Sequence, residues 1–193
     1  NSFGGMTFNG AARKGSGTKS SDGSSSGAGG NAWDFALTGS GDMLGVDGLS
    51  WGTGYGEAES GQQTNAAGSY SDDKHWTVFA NYAAGPVTFG YQMSGIQAGS
   101  NGTAGENTDA WGLAFNVNDN LSVSYQNNKS QKHTKGAGSV KQKNTSVLQE
   151  SDGFSVSYTL GGMTISYVDN SHDNESYGST SKDYRQIVLG VAF

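Results

Sequence analysis

The histidines are the side chains in this sequence best suited to acid–base chemistry or metal binding. His75, His133 and His172 each stand alone, without a His-x-x-His or His-Glu pair. We expect all three in loops or at strand edges, with none on a strand beside a serine that it would activate. The spacing therefore predicts no metal, no cofactor and no catalytic residues, and an enzyme is not expected.

Two acidic stretches are the next candidates, because carboxylate oxygens bind calcium. Asp169–Glu175 and Ser71–Asp73 both lack the ligand spacing of a dedicated calcium loop, so solvated loop acids are expected. Positive charge is concentrated in one long loop, at Lys132, Lys135, Lys141 and Lys143. This basic loop is expected to contact anionic phosphate groups or a neighbouring subunit, or simply to keep the loop soluble.

The composition limits the scaffold on which such residues can stand. Of the 193 residues, 33 % are hydrophobic, 15 % are charged and none is cysteine. This is too little apolar material for an ordinary globular core, yet the 11 % of aromatic residues recur in patterned segments, which argues against disorder. No run of about 18 apolar residues is present, so no membrane-spanning helix is expected. The net charge of −6 argues against a nucleic-acid partner.

Alternation of apolar and polar side chains is the dominant pattern along the chain. Trp76, Val78 and Tyr82, for example, alternate with Thr77 and Asn81. The predicted strands, about ten in number, cover residues 6–13, 33–42, 49–57, 76–82, 87–94, 111–117, 121–126, 154–160, 163–167 and 184–193.

The predicted connections alternate in length as regularly as the side chains do. Short links fall at 43–48, 84–86, 118–120 and 161–162, and long polar links at 14–31, 58–73, 98–107, 130–151 and 170–182. Tight turns at one end and long loops at the other are typical of outer-membrane barrels. We therefore predict an all-β fold, an antiparallel transmembrane β-barrel with meander topology, forming a single domain over residues 1–193.

The two faces of these strands differ in chemistry. One carries Leu, Val, Ile, Phe, Trp and Tyr, and the other mostly small, uncharged polar residues, which suits the wall of a water-filled lumen with the apolar face turned to lipid. The predicted pore-lining residues are Arg13, Asp34, Asp42, Gln92 and Gln126. The predicted girdle at the membrane interfaces consists of Trp33, Trp76, Tyr82, Trp111, Phe154 and Phe193.

The last strand and the hairpin before it carry a family resemblance. Residues 184–193 resemble the closing strand of Gram-negative outer-membrane proteins, with a terminal Phe and apolar residues at alternate positions upstream. Residues 153–167 are similar to the penultimate hairpin of general porins from alphaproteobacteria. The resemblance implies an outer-membrane location, a homotrimer and an assembly signal read by the barrel-assembly machinery. That signal would consist of Ile187, Leu189, Val191 and Phe193. Arg185 breaks the apolar parity and is expected near the outer rim, within reach of lipopolysaccharide phosphates.

The chain is short for that family, whose barrels have sixteen strands. About ten strands are expected to be the C-terminal part of such a barrel. A complete small barrel is the alternative, but its narrow interior would need bulky or charged side chains, and the polar face offers mainly Gly, Ala, Ser and Thr.

The predicted function is passive diffusion of small hydrophilic solutes and ions through a water-filled channel. Two alternatives from other classes stay open. One is a structural or adhesive barrel whose loops bind a partner, and the other is a soluble, secreted β-sandwich.

Overall fold

The computed structural model describes residues 2–3, 5–14, 31–59, 72–97, 105–133 and 148–191. The strands are β1 (Ser2–Phe3), β2 (Met6–Arg13), β3 (Ala32–Ser40), β4 (Leu49–Ala58), β5 (Asp73–Ala84), β6 (Val87–Gln97), β7 (Gly105–Asn116), β8 (Leu121–His133), β9 (Leu148–Leu160), β10 (Met163–Asp173) and β11 (Lys182–Val191). Two short 3-10 helices, Gly41–Leu44 and Glu175–Tyr177, lie in the connections. No helix in the described ranges has the length and apolar character needed to cross a membrane.

All eleven strands belong to one antiparallel sheet, in which each strand pairs with its neighbours in sequence from β1 to β11. This confirms the all-β meander and the ten predicted strands, and it adds the two-residue strand β1. The sheet as described is open, with β1 and β11 at its two edges. The register therefore confirms the strand order of a barrel but not its closure.

The strands extend further toward the long connections than the alternation predicted. β7 begins at Gly105 instead of Trp111, and β8 continues to His133 instead of ending at Gln126. The reason is chemical, because the added residues are polar on both faces and so show no apolar alternation. Within these extensions, side-chain hydrogen bonds between neighbouring strands take the place of hydrophobic contacts. One example joins Asn107 Nδ2 and His133 Nε2 at 2.8 Å.

One predicted strand end is wrong. β3 ends at Ser40, and Asp42 lies in the following 3-10 helix, so it does not occupy a strand position on the polar face. The Ser40 hydroxyl donates a hydrogen bond to the Asp42 carboxylate at 2.9 Å. This local bond supports a turn in place of continued pairing.

The described sheet has a single layer. No large side chain in it is fully buried, and the apolar face is exposed, with Leu113 at 43 % and Leu189 at 64 % of full exposure. A soluble sandwich would cover such a face with a second sheet, so this alternative from the sequence does not fit the described residues.

The register steps regularly across the sheet. One row of paired residues runs across the sheet from Phe154 on β9 to Leu49 on β4. Phe154 lies six positions from the end of β9, where a short turn follows, and the residues of the row on the following strands, such as Tyr125 and Phe89, lie progressively closer to their own short turns. Such a stagger is what tilted barrel strands require. The pairing therefore has the shear of a barrel wall.

Gly52 on β4 is required by the close approach of a neighbouring ring. A Cβ added there would lie 2.4 Å from Cε1 of Phe79 and 3.1 Å from Cγ2 of Thr38. We expect Gly52→Ala to destabilise the folded protein by about 1–2 kcal/mol, because the ring must leave its site. Urea unfolding in detergent micelles measures this loss.

Gly54 provides the matched control, two residues along the same strand and on the same face. A Cβ there would lie no closer than 3.4 Å to Thr77 Cγ2, which is ordinary contact. Gly54→Ala should be neutral or stabilising by up to about 1 kcal/mol, because alanine loses less backbone entropy than glycine on folding. Equal losses in the two variants would contradict the packing of Phe79 over Gly52.

Candidate functional site

The polar face of the sheet contains most of the predicted pore-lining residues. Arg13, Asp34, Gln92 and Gln126 lie on this face, because directly paired residues share a face and side chains alternate along each strand. Asp42 is the exception, as described above. The polar face is the candidate functional site of the chain.

Hydroxyl groups pair across neighbouring strands over much of this face. The pairs join Ser124 with Ser155 at 2.8 Å, Ser157 with Ser166 at 2.8 Å, Thr159 with Thr164 at 2.9 Å and Thr108 with Ser130 at 3.0 Å. These short side chains satisfy one another and keep the surface polar without charge. The resulting surface is wettable, and these pairs add no charge to it.

Charges on the polar face concentrate at the ends of strands that lead into the long connections. Glu106 is the second residue of β7 and Lys132 is the last but one of β8, whereas the described part of β9 carries no charged residue on this face. The electrostatic field of these fixed charges is therefore strongest at that end of the polar face.

The connection between β10 and β11 folds over the polar face. The Tyr177 hydroxyl lies 2.7 Å from the Ser130 hydroxyl, which in turn donates to the Glu106 carboxylate at 2.8 Å. Lys132 Nζ lies 4.3 Å from the centre of the Tyr177 ring, in cation–π contact. Asn174 anchors the base of the connection by donating to the Leu148 carbonyl at 2.8 Å. This inward connection narrows the space above β7, β8 and β9.

The backbone and electrostatics of this connection show how firmly it is held. Asn174, Ser176 and Tyr177 adopt positive φ angles of 55°, 56° and 61°, a conformation that costs non-glycine residues energy unless contacts maintain it. Burial raises the pKa of the Tyr177 phenol, and its hydrogen bond with Glu106 adds to the rise. A hydrogen bond from Lys182 lowers the pKa of Glu175. The phenol thus stays neutral, and the carboxylate stays charged, over the ordinary pH range.

The histidines lie near the ends of strands, as expected, but one of them lies on a strand beside a serine, which was not expected. His75 is in β5, His133 ends β8 and His172 is in β10, where its Nδ1 lies 2.8 Å from the Ser151 hydroxyl on the polar face. The expectation that no histidine lies on a strand beside a serine was wrong because the strands extend past the apolar alternation. No carboxylate within the described residues bonds the other ring nitrogen of His172, whose ring packs edge-on against Tyr184 instead. The pair therefore lacks the orienting acid of a hydrolytic triad.

The acids of the Asp169–Glu175 stretch are paired with protein groups. Asp169 pairs with Arg185, Asp173 accepts from Ser181 and Glu175 pairs with Lys182. Ser71 lies outside the described residues. The carboxylates of this stretch therefore point to three separate partners and do not converge.

The basic residues proposed for one outward loop are also placed differently. Lys132 belongs to β8 and lies on the polar face against Tyr177, so it is not part of an outward loop. The other lysines of that group, Lys135, Lys141 and Lys143, lie outside the described residues.

The predicted girdle residues share the apolar face. Trp33, Tyr82, Trp111 and Phe154 are exposed on it, and the side chain of Trp76 lies beside Gly95. Trp111 contacts Tyr125 with ring centroids 5.4 Å apart, and Trp33 contacts Tyr55 at 5.6 Å. Their position at a membrane interface remains a prediction, and Phe193 lies outside the described residues.

Four tyrosines on the apolar face were missed by the sequence analysis. Each donates a hydrogen bond to a carboxylate on the side of the long connections, in the pairs Tyr55–Glu57, Tyr91–Asp109, Tyr125–Asp152 and Tyr167–Asp169. Two of the pairs were visible in the sequence as Tyr-x-Asp or Tyr-x-Glu. The other two join different strands and needed the register. An apolar ring with a polar tip beside a carboxylate is suited to the boundary between lipid and water.

Arg185 lies on the apolar face, toward the end of β11 that follows the connection from β10. Its Nε donates to the Asp169 carboxylate at 3.1 Å. Between Arg185 and the end of β11, Ile187, Leu189 and Val191 project from the same face and are exposed. Their role as an assembly signal is a matter for experiment.

Comparison with known proteins gives the fold and no more. No protein family model matches the sequence, and no curated protein is significantly similar to it. Among solved structures, the fold is similar to OmpF of Salmonella typhi, determined in complex with daunomycin, with a TM-score of 0.64 and 13 % sequence identity. The similarity covers 96 % of this chain and 56 % of that one, so the chain spans little more than half the length of the structure it matches. With its antiparallel meander and this likeness, the chain has a porin-like fold.

Proposed function

We propose that this chain forms the wall of an outer-membrane channel through which small hydrophilic solutes and ions diffuse passively. The observation that carries the proposal is the contrast between the two faces of one sheet. Ser124 and Ser155 share a hydrogen bond on the polar face, whereas Leu113 and Leu189 are exposed on the other face without protein cover. Water against the first face and lipid against the second satisfy both. No reaction is part of the proposal.

The open edges of the sheet support the wider assembly that we propose. Unpaired backbone groups at β1 and β11 are not tolerated in lipid, so these edges must pair. We propose that further strands complete a sixteen-stranded barrel of the alphaproteobacterial general-porin type, with this chain as its C-terminal part. A homotrimer, contacts with lipopolysaccharide and assembly by the barrel-assembly machinery belong to the same proposal.

Planar-bilayer conductance of the full-length natural protein tests the function. We expect stable single-channel steps, and we expect Arg13→Ala to shift the reversal potential in a salt gradient toward cations, because a positive charge leaves the polar face. Lys129→Ala is the matched control. Lys129 pairs with Glu150 on the apolar face at 3.0 Å, so removing this positive charge should leave the reversal potential unchanged.

The outcomes separate the proposal from its alternative. Folded protein without conductance would contradict a channel and favour the structural or adhesive barrel. If both variants conduct with the reversal potential of the natural protein, the protein is still a channel, but Arg13 does not line it.

A further inference from the structure

A shallow depression lies on the polar face where β5, β6, β7 and β8 meet. It has a volume of about 320 Å³. Its floor has almost no side chains because Gly90, Ala110 and Gly112 lie there, and four carboxamides surround it, those of Asn81, Gln92, Gln126 and Asn128. The depression is close to the size of one small-molecule subsite. Its position inside a channel rests on the function proposed above.

The four carboxamides are free to bind a solute. None of them has a side-chain hydrogen bond to another described residue, whereas nearby hydroxyls such as those of Ser124 and Ser155 pair with each other. Each carboxamide offers two donors and an acceptor oxygen. The depression therefore presents donors and acceptors that no other described residue satisfies and that water or a solute can bind.

Phe79 adds an apolar surface at the edge of the same depression. Its ring lies over Gly52, where an added Cβ would come within 2.4 Å of the ring. The Cε1–Cζ end of the ring thus packs against β4, and the side chain remains partly exposed on the polar side. An aromatic face beside hydrogen-bonding groups complements a sugar ring, which has an apolar C–H face and hydroxyls at its rim.

Charge narrows the class of solute further. No charged residue lines the depression. A cation or anion would therefore find no counter-charge in it, whereas a neutral polyhydroxylated solute can exchange hydrogen bonds with all four carboxamides.

We infer that this depression is a binding subsite for one ring of a neutral sugar on its path through the channel. The carboxamides bind hydroxyls and Phe79 packs against the ring. Binding is weak, as passage requires, because a solute that binds tightly leaves slowly.

The test uses the full-length protein in detergent micelles with the neutral trisaccharide raffinose as the probe. Saturation-transfer NMR measures binding without any need for conductance. We expect a dissociation constant in the millimolar range, and the double variant Gln92→Met with Gln126→Met should weaken binding about tenfold, because two side chains keep their size but lose their hydrogen bonds.

The matched control carries the same double change elsewhere on the polar face. Gln149→Met with Gln186→Met removes two carboxamides outside the depression and should leave raffinose binding within about twofold of the natural protein. Triglycine, which carries no net charge and is about the size of one sugar ring, should not compete with raffinose.

Each result decides between the inference and the proposed function. Ion conductance without raffinose binding overturns the subsite and leaves the channel. Saturable raffinose binding without conductance keeps the subsite and overturns the channel. Equal weakening by both double variants overturns the location, and competition by triglycine overturns the class of solute.

Discussion

Leu113→Arg should destabilise the protein in a lipid bilayer by about 2–4 kcal/mol, because its guanidinium would face the hydrocarbon interior. Leu113 lies on the apolar face of β7, 43 % exposed, between Trp111 and Phe115. Nothing in the described sheet covers it, so in our interpretation lipid does. Urea titration of protein folded into lipid vesicles measures the loss.

The next residue in sequence is the control. Ala114 pairs with Thr88 and Ser124 on the polar face, where water is available to an added charge. Ala114→Arg should change the free energy of unfolding by less than about 1 kcal/mol. If Ala114→Arg lowers the free energy of unfolding as much as Leu113→Arg does, the assignment of lipid and lumen to the two faces is wrong. Folding of the natural protein without lipid or detergent would contradict the membrane setting altogether.

The alternation of apolar and polar side chains was sufficient to predict the strands, their antiparallel order and which side chains share each face of the sheet. A strand with one apolar face must place Val78 and Thr77 on opposite sides, whatever its partner is. Arg13, Asp34, Gln92 and Gln126 could therefore be assigned to one face before any register was known. Loop lengths added the order of turns and long connections.

The polar ends of the strands could not be predicted, since their stability comes from partners distant in sequence. Asn127 donates hydrogen bonds to Glu150 and Asp152, which lie more than 20 residues away in sequence. Asn, Glu and Asp are not residue types that indicate a strand. Asp42 failed for the opposite reason, because its bond with Ser40 is local and ends the strand. The position of Tyr177 depends on Ser130, 47 residues earlier. Such contacts appear only once the register is known.

Replacing Ile187, Leu189 and Val191 together by serine should have the largest effect of all and prevent stable folding. These side chains are 71 %, 64 % and 48 % exposed on β11, and on the function proposed above lipid buries them. At about 1.5–3 kcal/mol for each buried aliphatic side chain, the loss is about 5 kcal/mol or more, comparable with the whole stability of a typical protein. A folded β-barrel that has not been boiled migrates differently in gel electrophoresis from the same protein after boiling. This heat-modifiable gel shift should disappear in the triple variant.

The alternate positions of the same strand distinguish lipid burial from a general weakening of β11. Gln186, Val188 and Gly190 lie on the polar face, and a Cβ at Gly190 would meet nothing closer than the Thr164 carbonyl at 3.9 Å. Serine at these three positions should preserve the gel shift. Its loss in this control would mean that strand propensity, and not contact with lipid, holds β11 in place.

Phe193→Ala then separates lipid burial from recognition during assembly. A signal read by the assembly machinery acts only in cells, whereas burial in lipid acts in any membrane. If residues 187–193 form that signal, Phe193→Ala should reduce the folded protein in the outer membrane several-fold more than it reduces refolding into pure lipid vesicles. Equal reductions in cells and in vesicles would assign this end of the chain to stability alone, since a change in the intrinsic free energy of folding is felt in both settings.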